Sequence, residues 1–430
     1  MKSYERFIFE SFSLIPGEQL IELKYSLDDQ VIFTEKLTLP PSLDLTKPTA
    51  ELNAALFALH LAGGASYYKL YLPKNIEVRS GQLTSRQAQF WNDLYLNGLG
   101  EFFYRNKINF HGLIDFPVTA KDTPQNHISV STPKNALVPF GGGKDSIVTS
   151  SLLKKSQIAQ TLFRVRSHTL ITAMAKTAEL PMIEIERTLD SQLAELSTAG
   201  AYNGHVPITA YISFLAVTIA LLGGYDAVIF SNERSSSYGN IEYLGLQVNH
   251  QWSKSLEAET WIRSYVQQYI TPSVQYLNPL RSLSELKIAQ LFANQPEFFP
   301  YATSCNRNWT LTKTMPDGER WCGDCPKCAF SFALLSAFLP LSQVTDIFGQ
   351  NLFENPRLLP LYRELWGEEG FKPFECVGTP EETAAALYLA SLNPDYSQTP
   401  VIKAFSATVL PQMEDPASLA SDLLRPEASL

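Results

Sequence analysis

Hydrophobic and polar residues follow two different rhythms along this chain. Residues 1 to about 45 alternate with period two, predicting strands at Phe7–Leu14, Leu20–Leu27 and Val31–Leu39 separated by Pro-Gly and Asp-Asp turns. Helical spacing then predicts helices over Ala50–Ala62 and Ser85–Arg105, with a further strand at Tyr67–Leu72. The stretch from Asp115 to Lys134 is polar and rich in Pro, Thr and Asn, and reads as a linker. From Ala136 the rhythm changes to short apolar runs alternating with helical spacing. Strands are expected at Ala136–Phe140, Thr161–Val165, Met182–Ile185, Ala227–Ser231 and Val274–Asn278. Helices are expected near Asp145–Lys155, Leu170–Glu179, Pro207–Leu222 and Glu257–Ile270. Strand–helix alternation of this kind predicts an α/β fold, a doubly wound parallel sheet, preceded by a smaller α+β domain. The expected division is 1–134, 135–300, a helical part over 301–405, and a loose tail over 406–430 rich in Pro, Ser and Asp. The chain contains neither an internal repeat nor a low-complexity tract.

With 430 residues, 45% apolar and 18% charged, the chain can bury a large core. Its formal charge of −9 disfavours a nucleic-acid partner, which needs a basic face. Glu5 and Arg6 interrupt the N-terminal apolar run, so no secretory leader is expected. Ile208 to Gly224 carries no charge, but it is shorter than the ~20 residues of a membrane span and contains Thr209, Tyr211, Ser213 and Thr218. A buried helix against the sheet is the expectation there. Five unevenly spaced cysteines do not form a disulfide framework, which points to the cytoplasm.

Three segments carry candidate chemistry. The first, Val138-Pro-Phe-Gly-Gly-Gly-Lys-Asp-Ser-Ile-Val148, runs from a buried strand through a glycine turn into a helix. Glycines let the backbone approach a phosphate, and the first amides of the helix then face the anion. Asp145 would repel phosphate unless Mg²⁺ bridges the two. The plain alternative is a structural turn. The spacing excludes the G-x-x-x-x-G-K-[ST] and G-x-G-x-x-G loops.

The second segment, Ser231-Asn-Glu-Arg-Ser-Ser-Ser237, leaves a buried strand and continues through Tyr238-Gly-Asn240 to Val248-Asn-His-Gln-Trp-Ser-Lys-Ser255. It offers an acid, bases and amides where ligands bind in parallel sheets, beyond the carboxyl ends of strands. A solvated surface loop is the alternative. His205 lies in a smaller polar turn, able to touch substrate or simply to cap the next helix.

The third is Cys305 with Cys322, Cys325 and Cys328, spaced C-x16-C-x2-C-x2-C. Four thiolates suit a closed structural zinc site; an iron–sulfur centre or unliganded cysteines are the alternatives. Cys376 stands apart and is expected in the core.

Gly141-Gly142-Gly143-Lys144-Asp145-Ser146 resembles the SGGxDS loop of ATP pyrophosphatases (the PP-loop superfamily) at every position but the first. With the late cysteines it is similar to 7-cyano-7-deazaguanine synthases. The combination of GGGKDS, SNERSSSYGN, VNHQWSKS and WCGDCPKCAF resembles more specifically the UDP-N-acetylmuramoyl-L-alanyl-L-glutamate epimerases of bacterial wall synthesis, over most of the chain.

That resemblance implies an adenine nucleotide alpha hydrolase-like sheet and an ATP-dependent isomerase acting on a UDP-sugar dipeptide. The α-carboxylate of the terminal L-glutamate is adenylated, Cα is inverted, and AMP and pyrophosphate are released. In this scheme Gly141, Gly142, Gly143 and Ser146 hold the pyrophosphate, Asp145 binds Mg²⁺ and Lys144 neutralises charge. Glu233, His250 and Lys254 are candidates for proton transfer. His250 is favoured among them because its ordinary pKa lies nearest neutrality. Asn232, Arg234 and Asn249 are candidates for substrate binding. The alternatives are a nucleobase- or tRNA-modifying pyrophosphatase and a non-catalytic nucleotide sensor.

Overall fold

The computed structural model describes residues 2–46, 48–122, 132–308, 315 and 319–428. Much of the expected linker lies outside the described residues. Among the described residues eleven strands form: β1 (Arg6–Ile15), β2 (Leu20–Leu27), β3 (Val31–Thr38), β4 (Asn75–Val78), β5 (Asn135–Pro139), β6 (Ala159–Val165), β7 (Met182–Thr188), β8 (Ala227–Ile229), β9 (Ile241–Tyr243), β10 (Leu246–Val248) and β11 (Gln275–Leu277). Nine of them make one mixed sheet in the order β11-β8-β5-β6-β7-β3-β2-β1-β4. The five strands from β11 to β7 are parallel. Both faces of this half are covered, since Ala136 and Val138 of β5 enter one hydrophobic core and Leu137 the other.

The expected separate N-terminal domain is corrected by the seam between β3 and β7. These strands pair antiparallel, Leu37 opposite Arg187, so the N-terminal strands extend the parallel sheet. Arg187 donates Nε and Nη2 to Glu35 at 2.9 and 3.0 Å. Tyr211 and Tyr67 donate their hydroxyls to the same carboxylate at 2.6 and 3.2 Å. A buried ion pair whose remaining lone pairs are satisfied in this way fixes register, and losing one partner costs about 3–5 kcal/mol.

The two rhythms of the sequence survive with shifted edges. The first helix runs on to Tyr68, so the strand expected at Tyr67–Leu72 is its last turn and the loop beyond. Both tyrosines face inward, and Tyr68 donates its hydroxyl to the Leu113 carbonyl at 2.6 Å. The helix expected over Ser85–Arg105 breaks at Leu99 into Ser85–Gly98 and Gly100–Asn106. Ile208–Gly223 is a helix buried against the sheet. No described helix is long and apolar enough to cross a membrane.

Helices beyond Glu285 build the second core. The loose tail is corrected too, because Pro416–Leu424 is a helix capped by the Asp415 side chain. It buries Ala420 and Leu423, and Ser284 donates its hydroxyl to the Leu423 carbonyl at 2.7 Å. Its Pro and Asp are helix-start residues, which composition alone reads as disorder.

Candidate active site

The strand β5 ends at Pro139, and the chain turns through three glycines into the helix Lys144–Lys155. Gly142 has φ +76°, and a Cβ there would lie 2.7 Å from Met174 Cε. Glycine is therefore required at its centre. The turn is held from behind, where Thr303 donates its amide to the Gly142 carbonyl at 3.2 Å. Ser146 donates its hydroxyl to the Gly143 carbonyl at 3.0 Å.

In front of the turn opens a cavity of about 550 Å³ at the carboxyl ends of β5, β6 and β8. Gly141, Gly143, Asp145, Ser146, Asn232 and Lys254 line it among the residues expected from sequence. Arg164, Arg166 and Lys327 add cationic groups, while Phe163 and Ile171 add apolar wall. Ser231 and Asn232 also line it, and their Ser231 Oγ and Asn232 Nδ2 atoms are buried without a protein partner.

Lys144 does not line the cavity. Its ammonium turns to Asp145 at 2.6 Å and to the buried carboxylate of Glu285. Burial opposes its charge, but the two carboxylates outweigh burial and hold its pKa above the usual lysine range. Glu285 itself is pushed well up by burial and by the neighbouring Asp145, Glu233 and Glu382, against the pull of Lys144. Glu382 accepts the Glu285 amide at 2.8 Å. Beneath the glycine turn, therefore, lies a closed network of acids and bases.

The polar segment after β8 is mostly buried rather than solvated. Asn278 anchors it, accepting the Asn232 amide at 3.2 Å and donating to the Asn232 carbonyl at 2.8 Å. Arg281 reaches across, donating to the Glu233 carbonyl at 2.8 Å and the Lys254 carbonyl at 2.6 Å, and pairs with Glu259 at 2.7 Å. The side chain of Asn249 is committed to this scaffold, donating to the Ser236 carbonyl and accepting the Gln251 amide, both at 2.8 Å. Glu233 is buried, and its charge acts on Lys254 and Glu285. Arg234 is exposed and does not line the cavity.

His250 lies behind Lys254, away from the cavity wall. Its Nδ1 bonds the Glu101 carboxylate, which also lies 3.5 Å from His205 Nδ1. Burial alone would lower the pKa of His250, yet its bonds to Cys376 and Glu101 push it up to about 9. His205, lacking so close a partner, is driven by burial down to about 4. Cys376 corrects the expectation of a core cysteine, as Lys254 Nζ donates to its sulfur at 3.7 Å. Sequence reasoning also missed Glu101, Glu285 and Arg281. Each is isolated in the chain, and Glu285 looks like an ordinary first-turn helix acid after the Ser284 cap.

The four late cysteines converge as expected, all sulfurs lying within 4.8 Å of one another. Cys322 and Cys325 lie 3.7 and 3.4 Å from Cys328. A tetrahedron with metal–sulfur bonds of about 2.3 Å has edges of about 3.8 Å. This spacing fits one metal ion.

Comparison with known proteins places this geometry in a family. Residues 1–278 match the model described as MurL N-terminal domain, and residues 301–420 the model described as MurL C-terminal domain. A protein of Xanthomonas oryzae pv. oryzae is 39% identical over 91% of this chain and 87% of its own length. One from a Micromonospora strain is 37% identical over 99% of this chain and 95% of its own, and one from Salinispora tropica 37% over 94% and 89%. All three are named UDP-N-acetyl-alpha-D-muramoyl-L-alanyl-L-glutamate epimerase. Since the matches run through the sheet, the glycine turn and the cysteine centre alike, this chain belongs to the MurL family.

Proposed function

We propose that the protein uses ATP to adenylate the α-carboxylate of the terminal L-glutamate of UDP-N-acetylmuramoyl-L-alanyl-L-glutamate. It inverts the neighbouring Cα and releases the D-glutamyl product with AMP and pyrophosphate, for peptidoglycan synthesis. The epimerase activity and the substrate are those in the names of the three relatives. The adenylation step is supported by one observation. A cavity lined by Asp145, Ser146 and the cations Arg166, Lys254 and Lys327 opens directly on the glycine turn. We read the five parallel strands as the doubly wound sheet of a PP-loop pyrophosphatase.

The chemistry explains why ATP is needed. Removing the Cα proton beside a free carboxylate places charge on charge. Converting that carboxylate to an acyl-adenylate cancels its charge and lets the acyl group accept the electron pair. In this reading Gly141, Gly143 and Ser146 hold the pyrophosphate end, and Arg166, Lys327 and Lys254, which line the same cavity, meet the rest of the negative charge. Asp145 reaches the same cavity and would hold Mg²⁺, which neutralises pyrophosphate as it leaves. Lys144, paired below the turn, fixes Asp145 instead of meeting the nucleotide. The cysteine centre would carry structural zinc, since four thiolates leave no open position.

Incubation with ATP, Mg²⁺ and the UDP-linked L-alanyl-L-glutamyl sugar should yield AMP, pyrophosphate and, after acid hydrolysis, D-glutamate. Epimerisation with ATP left intact would overturn the adenylation step. AMP formation without D-glutamate would overturn the epimerisation.

A further inference from the structure

Adenylation leaves the cluster behind Lys254 without a task. Lys254 lines the cavity, and its Nζ donates to Cys376 Sγ at 3.7 Å. His250 bonds the same thiol and is itself held by Glu101. Glu101 is fixed in turn by Arg105 Nε at 2.5 Å. Cys376 comes from the 371–378 segment, tied to the loop of His250 at several points. Asn240 donates to the carbonyls of Lys372 and Pro373 at 3.0 and 2.9 Å, and Gln251 donates to Val377 at 3.2 Å. Asn306 binds Glu375 on the other side and also accepts Lys327 Nζ at 2.7 Å. The thiol is thus clamped between the two family domains, one lysine from the cavity.

A cysteine in an apolar core has no such neighbours. Burial pushes the Cys376 thiol up, but Lys254, Lys327 and His250 outweigh it and hold the sulfur well below the usual cysteine range. These three cationic neighbours favour the thiolate form of the sulfur. His250, protonated near neutrality between two anions, serves as a donor and not as a base.

We propose that Cys376 is the base that removes the Cα proton of the activated glutamyl group, with His250 as the positioning residue that keeps it ready. This rests on the adenylation reading above. The C–H bond breaks, its proton goes to sulfur, and its electron pair enters the activated acyl group as an enolate. Water on the opposite face returns a proton to Cα, and the hydroxide left behind attacks the acyl carbon, expelling AMP. The thiol then gives its proton to solvent, and the new carboxylic acid ionises.

The test uses the whole protein with ATP, Mg²⁺ and the UDP-linked substrate in D₂O. Cys376→Ser and Cys376→Ala should retain ATP–pyrophosphate exchange, which also reports that they are folded. Their deuterium uptake at the glutamate Cα should fall by about 10²-fold or more, the usual scale of a lost general base. His250→Gln leaves the sulfur in place but removes a donor, with Lys254 and Lys327 still facing the thiolate and Glu375 nearby. The acidic limb of its deuterium-uptake profile should move up by about one pH unit. Undiminished uptake in both cysteine variants would overturn the proposal, as would a glutamyl thioester found on Cys376. Wild-type protein that turns the substrate over with neither AMP formation nor pyrophosphate exchange would instead defeat the adenylation reading on which it rests.

Discussion

The glycine turn and the thiol cluster stand on either side of Lys254 and are built in opposite ways. The first is one contiguous piece of chain, and its backbone does the work: a left-handed glycine, a helix start and a cavity in front. The second is assembled from Glu101, His205, His250, Lys254 and Cys376, brought in by distant segments, and only side-chain charge gives it meaning. A phosphate can be gripped by geometry alone. A proton-transfer group must have its affinity for the proton adjusted by neighbours, so its neighbours are the site. The glycine turn should fail abruptly when its one carboxylate is changed, whereas the cluster should yield by degrees.

The largest effect should come from Asp145→Asn. The substitution keeps size and removes the charge facing the cavity, so AMP formation should fall by about 10³-fold, in line with losing a preorganised electrostatic partner. Release of AMP at the wild-type rate would remove Asp145 from the reaction. Because Asp145 also accepts Lys144, a thermal melt separates lost catalysis from lost packing; the melting temperature should change little.

This contrast also explains what could be read in the sequence. The glycine turn was legible because its residues are consecutive and each has a local reason to be there. The four cysteines were legible for the same reason, since C-x2-C spacing brings sulfurs together without help from the rest of the fold. The parallel strands announced themselves as short apolar runs, because both their faces are buried. What escaped was decided by tertiary contact. Nothing local in Val31–Thr38 says that its far edge will meet β7, and only the Glu35–Arg187 pair at the seam reveals the match. Cys376 looks inert in the sequence because Lys254 and His250 lie more than a hundred residues away. The sequence singles out His250 as a base for its ordinary pKa alone, but its neighbours decide whether it gives or takes a proton.

A change at the cysteine centre should come next in size. Cys325→Ser breaks a four-thiolate set whose loop also carries Thr303, the residue bonded to the Gly142 carbonyl. The variant should lose its bound metal by elemental analysis and melt several degrees lower, because metal binding at such sites is folding free energy. Weakened ATP binding should follow, through the Thr303 support. Full metal content with unchanged melting would exclude a structural metal there.

The thiol cluster should show itself more quietly, in the pH dependence of stability. The pKa of His250 is about 9 in the folded protein, above its ordinary 6.5, because Cys376 and Glu101 together outweigh burial. A raised pKa means that the contribution is complete below about pH 6.5 and fades as pH rises through about 9. The melting gap between wild type and His250→Gln should therefore be widest at the acidic end of that window and close toward its alkaline end. A gap that stays constant with pH would mean that the imidazolium is not what the cluster holds.

Arg234→Ala should have the smallest effect, and it bears on where the glycine turn's domain of influence ends. Arg234 sits in the same segment as Asn232 and Glu233, but it is exposed while they are buried. Its backbone is fixed, the amide donating to the Leu283 carbonyl at 2.9 Å, so the side chain projects from a rigid base. An exposed cation pays little desolvation and is screened by salt, which limits an ionic contact to about 1 kcal/mol, or at most about fivefold in KM. If Arg234 greets the diphosphate of the sugar nucleotide, the KM for that substrate should rise by this modest factor and shrink further at high salt. The turnover number and pyrophosphate exchange should stay as they were. A fall in turnover instead would mean that the guanidinium enters the cavity when substrate is bound, and the boundary between gripping and proton transfer would have to be moved to include it.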